Sequence, residues 1–391
     1  MSWQTEDVLF DGDRYFDSLI SEWQRAKDTI DFEVYIFEND PIGQQIENAL
    51  LNAASRGVRV RVIVDGIGSS GWWQTRGKEL ESKSAGGIEI RVYHPLHITE
   101  LWRRLLIDFH IISPERRPKK SLFLRRLNRR IHRKVSLVDS KVAHVGSINV
   151  SKVHSERVSG ASAWRDTAAR VTGPHIADLK FAFSHTWIRS HPIHATSGPR
   201  PSRLRFLFAA RSKGPDSLVA LNFTRRLRRF HRLKFVRKID LAQQRVWIEN
   251  AYLAPPSNIV RKLVHAAKRG VDVRILVPNR SDVWFMPLIA RAYYRPLLKG
   301  GIRVFEYQNR FLHAKSLIID DAVTIGTSNM NRRSFLHDLE VDVTLNHAES
   351  VHVMCRQFEI DLQNSIEIKS RGTVVGSRLG RILNYLIRYW V

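Results

Sequence analysis

The chain has 391 residues, enough for two or three domains, and 43% of them are hydrophobic, enough for a sizeable core. Lys and Arg number 63 against 38 Asp and Glu, a formal net charge of +25 that favours an anionic partner, either nucleic acid or an acidic membrane surface. A single cysteine excludes an internal disulfide, a Cys-rich zinc site and an iron–sulfur cluster.

The sequence shows neither an export signal nor a membrane span. Met1 to Asp13 is polar and acidic and lacks the basic and apolar segments of a signal peptide. No apolar run reaches the length of about 18 residues that a transmembrane helix needs. If the protein meets a membrane, these patterns predict that it lies on the surface.

Two segments of the chain repeat one pattern of elements. Ile30–Gly66 and Val246–Asn279 each predict an apolar strand, a turn, an amphipathic helix, an Arg-Gly-Val triplet and a second apolar strand. A Gly-Gly-Ile turn and a further strand follow in both copies. Nearly continuous Val and Ile runs are typical of parallel strands covered by helices. The repeat therefore predicts an α/β protein of two pseudo-symmetric α/β/α lobes, each a largely parallel mixed sheet covered by helices.

Composition places the boundaries of these lobes. We expect a first lobe over residues 1–195, a linker over 196–202 and a second lobe over 203–371. The linker lies within a Pro-, Gly- and Ser-rich stretch. The first lobe carries a basic insertion at about 96–131, and residues 372–391 predict a basic amphipathic helix.

One constellation of polar residues occurs once in each lobe. The first copy is His132-x-Lys134-x-x-x-x-Asp139 followed by Gly146-Ser147-x-Asn149, and the second is His313-x-Lys315-x-x-x-x-Asp320 followed by Gly326-Thr327-x-Asn329. Apolar alternation after each histidine predicts a strand, on which His and Lys point to the same face. If the two surfaces face each other at the lobe interface, two imidazoles flank a cationic, amide-rich cradle.

Such a cradle suits a phosphodiester. One histidine can attack phosphorus while the other protonates the leaving alkoxide, and the roles reverse in a second step. Lysine and asparagine side chains can hold the non-bridging oxygens as their charge develops. This chemistry requires no metal and no other cofactor, and the sequence contains no ligand spacing typical of a Zn or Ca site.

The duplicated motif resembles the signature of the phospholipase D superfamily, and the similarity runs from about Phe10 to Ile368. The wider pattern is most similar to the short form of bacterial cardiolipin synthases, which lacks amino-terminal transmembrane helices. It includes four further motifs: Trp164-Arg165-Asp166-Thr167, Val171-x-Gly173-Pro174, Asn250-Ala251-Tyr252 and Phe305-Glu306-Tyr307.

The resemblance implies roles for the motif residues. His132 would become a phosphatidyl-histidine and His313 would act as general acid and then base, although the sequence leaves open which histidine attacks. Phosphate would be bound by Lys134, Ser147, Asn149, Lys315, Thr327 and Asn329. The acidic residue downstream of each signature, Asp166 or Glu340, would orient the histidine of that signature and fix its tautomer. Asp139 and Asp320 complete the catalytic signatures but fall on the opposite strand face from histidine, which favours a structural role.

The resemblance also implies an activity, a cardiolipin synthase that transfers a phosphatidyl group from one phosphatidylglycerol to another and releases glycerol. The first alternative is hydrolysis to phosphatidic acid, because exclusion of water decides between the two outcomes. The second is a nuclease, since two histidines could also cleave a DNA or RNA phosphodiester. Basic clusters mixed with Trp, Leu and Phe disfavour nucleic acid as the partner.

Several amphipathic basic segments predict binding to an anionic phospholipid surface. The candidate membrane-binding residues are Trp102, Arg103, Arg104, Arg381, Arg388 and Trp390. Trp72 and Trp73 are either core residues or residues that dip into lipid. These features predict a peripheral enzyme on the cytoplasmic face of a bacterial inner membrane. The sequence does not determine the oligomeric state.

Overall fold

A computed structural model describes residues 2–95, 129–194 and 217–369 of the chain. The first lobe contains the strands β1 (Thr5–Phe10), β2 (Thr29–Val34), β3 (Arg59–Asp65), β4 (Ile88–Tyr93), β5 (Val135–Val138), β6 (Val142–Gly146), β7 (Thr167–Thr172) and β8 (His191–Pro192). Its helices are α1 (Gly12–Arg25), α2 (Pro41–Ser55), α3 (Ser70–Trp73), α4 (Arg76–Lys83), α5 (Glu156–Ser159) and α6 (Ile176–Trp187). Short 3₁₀ turns span Lys152–His154 and Gly160–Ser162.

The second lobe repeats this order of elements. Its strands are β9 (Val219–Leu221), β10 (Arg245–Asn250), β11 (Asp272–Pro278), β12 (Arg303–Tyr307), β13 (Lys315–Ile319), β14 (Ala322–Gly326), β15 (Val341–Leu345) and β16 (Ser365–Glu367). Its helices are α7 (Arg225–Leu241), α8 (Ser257–Lys268), α9 (Met286–Lys299), α10 (Arg332–Leu336) and α11 (Ala348–Gln363).

The two sheets have the same strand order. The first runs β1-β7-β6-β5-β2-β3-β4-β8 and the second β9-β15-β14-β13-β10-β11-β12-β16, so every strand has its counterpart. The predicted fold class, two α/β lobes with mixed sheets, is confirmed. The parallel part is narrower than expected, because among the described strands only β2–β3–β4 and β10–β11–β12 pair in parallel. The remaining pairs are antiparallel, and in two of them, β5–β6 and β13–β14, a tight turn joins the strands.

Local sequence explains why these elements form. Asp40 caps the start of helix α2, since its carboxylate accepts the backbone N–H of Gly43 at 2.8 Å, and Pro41 is a first-turn residue that needs no hydrogen bond. Ile42, Ile46 and Leu50 then recur four residues apart and are all buried. The helix thereby covers the parallel strands, whose Val and Ile side chains lie in the same hydrophobic cluster.

One of the hydrophobic clusters spans both lobes. A single buried cluster contains Val145 and Ala169 of the first lobe together with Ile325 and Val341 of the second. Short parallel bridges pair Ile131 with Leu339 and Arg165 with Leu312 across the interface. Each bridge lies immediately before a signature histidine and beside the acidic residue of the other lobe, so the interface itself assembles the site.

Three predictions lie outside the described residues, either wholly or in large part. These are the basic insertion at 96–131, of which only the last residues are described, the linker at 196–202 and the helix at 372–391. The domain boundaries therefore stay predictions. Within the three described ranges, no helix is long and apolar enough to cross a bilayer.

Candidate active site

The two signature histidines line one cavity of about 390 Å³ between the lobes. Asn149 and Asn329 line the same cavity, one from each lobe. His132 and His313 stand just before β5 and β13, and the asparagines follow β6 and β14, so equivalent positions of the two sheets supply the groups. The structure thus brings the duplicated residues together at the lobe interface.

Each histidine is oriented by the carboxylate of the other lobe. His132 Nδ1 lies 2.9 Å from Glu340 Oε2 and 3.0 Å from the backbone oxygen of Thr327. His313 Nδ1 lies 2.8 Å from Asp166 Oδ2. The expectation that each signature's own downstream acid orients its histidine is therefore wrong, although both acidic residues were identified. The interface bridges explain why each histidine meets the acid of the other lobe. The backbone N–H of His132, for example, donates to the backbone oxygen of Leu339, the residue before Glu340.

Ser147 and Thr327 hold these carboxylates. The Ser147 hydroxyl donates to Asp166 Oδ1, and the Thr327 hydroxyl donates to Glu340 Oε2 at 2.5 Å. Both hydroxyl-bearing residues are fully buried. Since each hydroxyl proton is already used, the predicted role in binding phosphate is replaced by a role in fixing the orienting carboxylates.

The two lysines lie beside the histidines and are buried. Lys134 Nζ donates to the backbone oxygen of His132 at 2.7 Å, and Lys315 Nζ donates in the same way to that of His313. Burial, and then the charge of Lys315, lowers the pKa of Lys134 to about 7, and burial lowers that of Lys315 to about 8. A phosphate anion entering the cavity would stabilise the charged form of both lysines.

The histidines differ in access. Burial, followed by the charges of Lys134 and Lys315, lowers the pKa of His132 well below its ordinary value, so the resting ring is a neutral imidazole. Lys315 Nζ lies 3.0 Å from His313 Nε2, whereas His132 Nε2 has no hydrogen bond to any described residue. The His132 side chain is also more exposed, 12% against 4%. His132 therefore presents the freer lone pair to the cavity.

Asn149 is placed to donate to an anion. Its Oδ1 accepts the backbone N–H of Ile36 at 3.1 Å, which leaves its amide hydrogens for another acceptor. Asn329 Oδ1 is buried and has no hydrogen-bond partner among the described residues.

Asp139 and Asp320 lie away from this cavity. Each carboxylate accepts three backbone N–H groups where β2 or β10 begins, from Lys27, Asp28 and Thr29 or from Gln243, Gln244 and Arg245. The cavity residues Tyr35 and Ile36 follow the opposite end of β2. Their inclusion among the catalytic signature residues is therefore corrected, and the structural role that their strand face favoured agrees with these contacts. They tie the β5–β6 and β13–β14 turns to the neighbouring strand.

Sequence reasoning missed several residues at the cavity. Tyr35 lies with its ring 5.2 Å from that of His132, and Tyr252, which the sequence named only as part of a motif, donates its hydroxyl proton to Asp282 at 2.6 Å. Trp284 is 73% exposed between two cavity-lining residues, whereas Trp72 and Trp73 are core residues. The repeat contains a signal for Trp284, because it follows β11 as the tryptophan pair follows β3.

Comparison with known proteins agrees with the duplicated site. The family described as "Cardiolipin synthase, PLD-like domain" matches residues 19–159 and 235–362. The cardiolipin synthase of Geobacillus kaustophilus is 31% identical over 92% of this chain and 66% of its own length. Cardiolipin synthase 1 of Bacillus anthracis is 30% identical over 98% of this chain and 71% of its own length. The chain thus spans about two thirds of the length of these relatives.

A solved structure shows the same fold. The phosphatidylserine synthase of Haemophilus influenzae superposes with a TM-score of 0.69, covering 99% of this chain and 94% of its own, at 12% identity. That identity supports the fold alone. From the family match, the curated relatives and the paired histidine sites, the chain belongs to the cardiolipin synthase family of phospholipase D-like phosphatidyltransferases.

Proposed function

We propose that this chain synthesises cardiolipin from two molecules of phosphatidylglycerol through a phosphatidyl-histidine intermediate. The observation that carries the proposal is the pair of histidines on one cavity, each oriented by a carboxylate of the opposite lobe. Such a pair can supply one nucleophile and one proton carrier for a phosphodiester exchange.

In the first step, Nε2 of His132 attacks the phosphorus of phosphatidylglycerol. The phosphorus–oxygen bond to the glycerol headgroup breaks, and His313 in its protonated form gives its proton to the leaving oxygen. In the second step, a hydroxyl of another phosphatidylglycerol gives its proton to His313. Its oxygen attacks phosphorus, and the phosphorus–nitrogen bond to His132 breaks.

The surrounding residues support each step. Glu340 accepts a hydrogen bond from the Nδ1–H of His132, so the lone pair stays on Nε2 and the positive charge of the phosphatidyl-imidazolium is balanced. Asp166 does the same for the imidazolium of His313. Lys134, Lys315 and the amide of Asn149 supply hydrogen-bond donors for the non-bridging oxygens.

Product analysis tests the proposal. The purified protein is incubated with phosphatidylglycerol vesicles and EDTA, and lipids and free glycerol are quantified by mass spectrometry. We expect one glycerol for each cardiolipin formed. Phosphatidic acid without cardiolipin would make the chain a hydrolase with the same catalytic groups. No lipid turnover together with cleavage of a nucleic-acid control would make it a nuclease.

The surface around the cavity supports a phospholipid membrane as the partner. A two-chain lipid keeps its acyl chains in the bilayer while its phosphate enters the cavity, so the mouth must approach the membrane. Val283 and Phe285 line the cavity with exposed Trp284 between them, and Ile67 and Leu336 are each 39% exposed on neighbouring segments. Apolar side chains at a mouth of this kind can insert into the interface, while the net charge of +25 favours anionic lipid.

Membrane attachment thus need not depend on the residues predicted from sequence, Trp102, Arg103, Arg104, Arg381, Arg388 and Trp390, which lie outside the described ranges. The charge and the exposed mouth support a peripheral enzyme on the cytoplasmic face of a bacterial inner membrane, where anionic phospholipid is presented. We propose this location together with the activity.

Replacing Trp284 with alanine is expected to weaken binding to phosphatidylglycerol vesicles by about tenfold, because the lost indole no longer buries apolar area in the interface. Binding is measured by co-sedimentation in the His132→Ala background, so that no lipid is consumed. Leu241→Ala is the matched control, since Leu241 is 60% exposed at the far end of α7 and beside the Asp320 turn. Equal loss in both variants, or none in Trp284→Ala, would contradict the assignment.

A further inference from the structure

The two orienting carboxylates have different third partners. The fifth residue after each signature asparagine is His154 in the first lobe and Ser334 in the second. Both residues are buried and both lie against the orienting carboxylate of their own lobe. Neither belongs to the duplicated signature, and the mechanism above does not use them.

In the second lobe, serine bridges the asparagine backbone and the acid. Ser334 Oγ accepts the backbone N–H of Asn329 at 3.1 Å and donates its own proton to Glu340 Oε1 at 2.6 Å. A hydroxyl can make both bonds from one atom because it is a donor and an acceptor at once.

In the first lobe, an imidazole makes the same bridge with its two nitrogens. His154 Nε2 accepts the backbone N–H of Asn149 at 3.3 Å, and Nδ1 lies 2.9 Å from Asp166 Oδ2. Since Nε2 must offer a lone pair to the N–H group, the ring proton belongs on Nδ1, facing the carboxylate. The contact with Asn149 therefore holds His154 in one neutral tautomer.

The side-chain lengths in the two lobes are complementary. Glu340 is one methylene longer than Asp166, and Ser334 is much shorter than His154. In each lobe, the acid and its partner together span the gap between the asparagine backbone and the histidine of the other lobe. The longer acid has the shorter partner, and the shorter acid has the longer partner. His154 and Asp166 thus form one length-matched pair, and Ser334 and Glu340 form the other.

The two orienting carboxylates also differ in how readily they ionise. Asp166 Oδ2 is shared by two imidazoles, because His313 Nδ1 lies 2.8 Å from the same atom, and the Nδ1–H of His154 is less well aligned with it. Burial alone would raise the pKa of Asp166, but His313 and His154 hold it well below its ordinary value. Burial raises the pKa of Glu340 to about 7 despite the hydroxyls of Ser334 and Thr327. The proton carrier His313 therefore faces the more strongly ionised partner.

We propose that His154 is a positioning residue for the acid–base histidine His313, which it reaches through Asp166. The pair His154–Asp166 acts as a unit in which neither member can be exchanged alone for its second-lobe counterpart. The inference rests on the proposed function only in that His313 transfers protons.

A double-mutant cycle tests the unit. His154→Ser and Asp166→Glu are each expected to lower kcat/KM by about 10- to 100-fold, because either change alone breaks the bridge to a charged group. The double variant recreates the second-lobe pair and is expected to recover most of the loss. His144→Ser, at a buried histidine of β6 that is hydrogen-bonded to Ser18 of α1, is the matched control and should not rescue Asp166→Glu.

A measurement without turnover separates this proposal from the proposed activity. The Nδ1 proton of His313, bonded to Asp166, should give a downfield proton resonance that is lost in His154→Ser, returns in the double variant and is identified by its absence in His313→Gln. A chain that made no cardiolipin would still show this pattern. The proposal is overturned if the double variant is no better than the single ones, or if His154→Ser leaves kcat/KM and the resonance unchanged.

One further outcome would overturn it. The ligand atoms of His154, Asp166 and His313 lie within 4.8 Å of one another, a grouping that could hold a metal ion. The cycle is therefore run with EDTA and again with added Zn²⁺. If the wild-type protein is active only with Zn²⁺ and binds it through His154, the residue is a metal ligand and the positioning role is wrong.

Discussion

Replacing His132 with alanine is expected to reduce phosphatidyl transfer by about 10⁴-fold or more and to abolish the covalent intermediate, because no other described residue at the cavity offers phosphorus an unbonded imidazole nitrogen. The measurement is an acid quench after incubation with phosphatidylglycerol carrying ³²P, followed by detection of labelled protein. The labelled residue is then identified by peptide mapping.

His313→Ala is the matched variant. It removes the proton carrier and leaves the nucleophile, so we expect slow formation of the intermediate and little further transfer. Both histidines line the same cavity, and each lies two residues before a lysine. A difference in labelling between the two variants therefore reports the different roles of the histidines. Label on the His132→Ala protein, with none on His313→Ala, would reverse the assigned roles.

Glu340→Gln and Asp166→Asn are each expected to lower kcat by about 10³- to 10⁴-fold, since a neutral amide carries no negative charge to stabilise the charged ring and its NH2 group can face Nδ1, which favours the wrong tautomer. Each carboxylate orients the histidine of the other lobe, so the two variants should fail at different steps. Glu340→Gln disables the attacking histidine, and Asp166→Asn disables the proton carrier.

A phosphatidyl ester of p-nitrophenol separates these steps, because its leaving group needs no protonation. With this substrate, we expect a burst of p-nitrophenol and a labelled protein from Asp166→Asn and neither from Glu340→Gln. Thermal unfolding of both variants controls for loss of the buried hydrogen bonds that each carboxylate makes. The opposite pattern would mean that each acid serves the histidine of its own lobe.

The sequence alone predicted the parts of this protein that depend on local pattern. Strand and helix periodicity, repeated in register, was sufficient for two α/β lobes, and the spacing of His132 and Lys134 placed both on one strand face. Because the motif occurs twice, its chance occurrence was improbable, and the resemblance to the phospholipase D superfamily is confirmed by the family match. These features involve residues within a few positions of one another, where backbone geometry dictates what faces what.

Only the tertiary structure decided which partner each side chain meets. Glu340 serves His132 because the interface bridge joins Ile131 to Leu339, a pairing between residues far apart in the chain. Asp320 lies at the far end of its strand because three backbone N–H groups of a neighbouring segment bind it there. The exposure of Trp284 between two residues that line the cavity likewise becomes evident only in the folded chain. Hydrogen bonds and burial between distant segments leave no periodic trace in the sequence, so they become visible only when the sheets have been assembled.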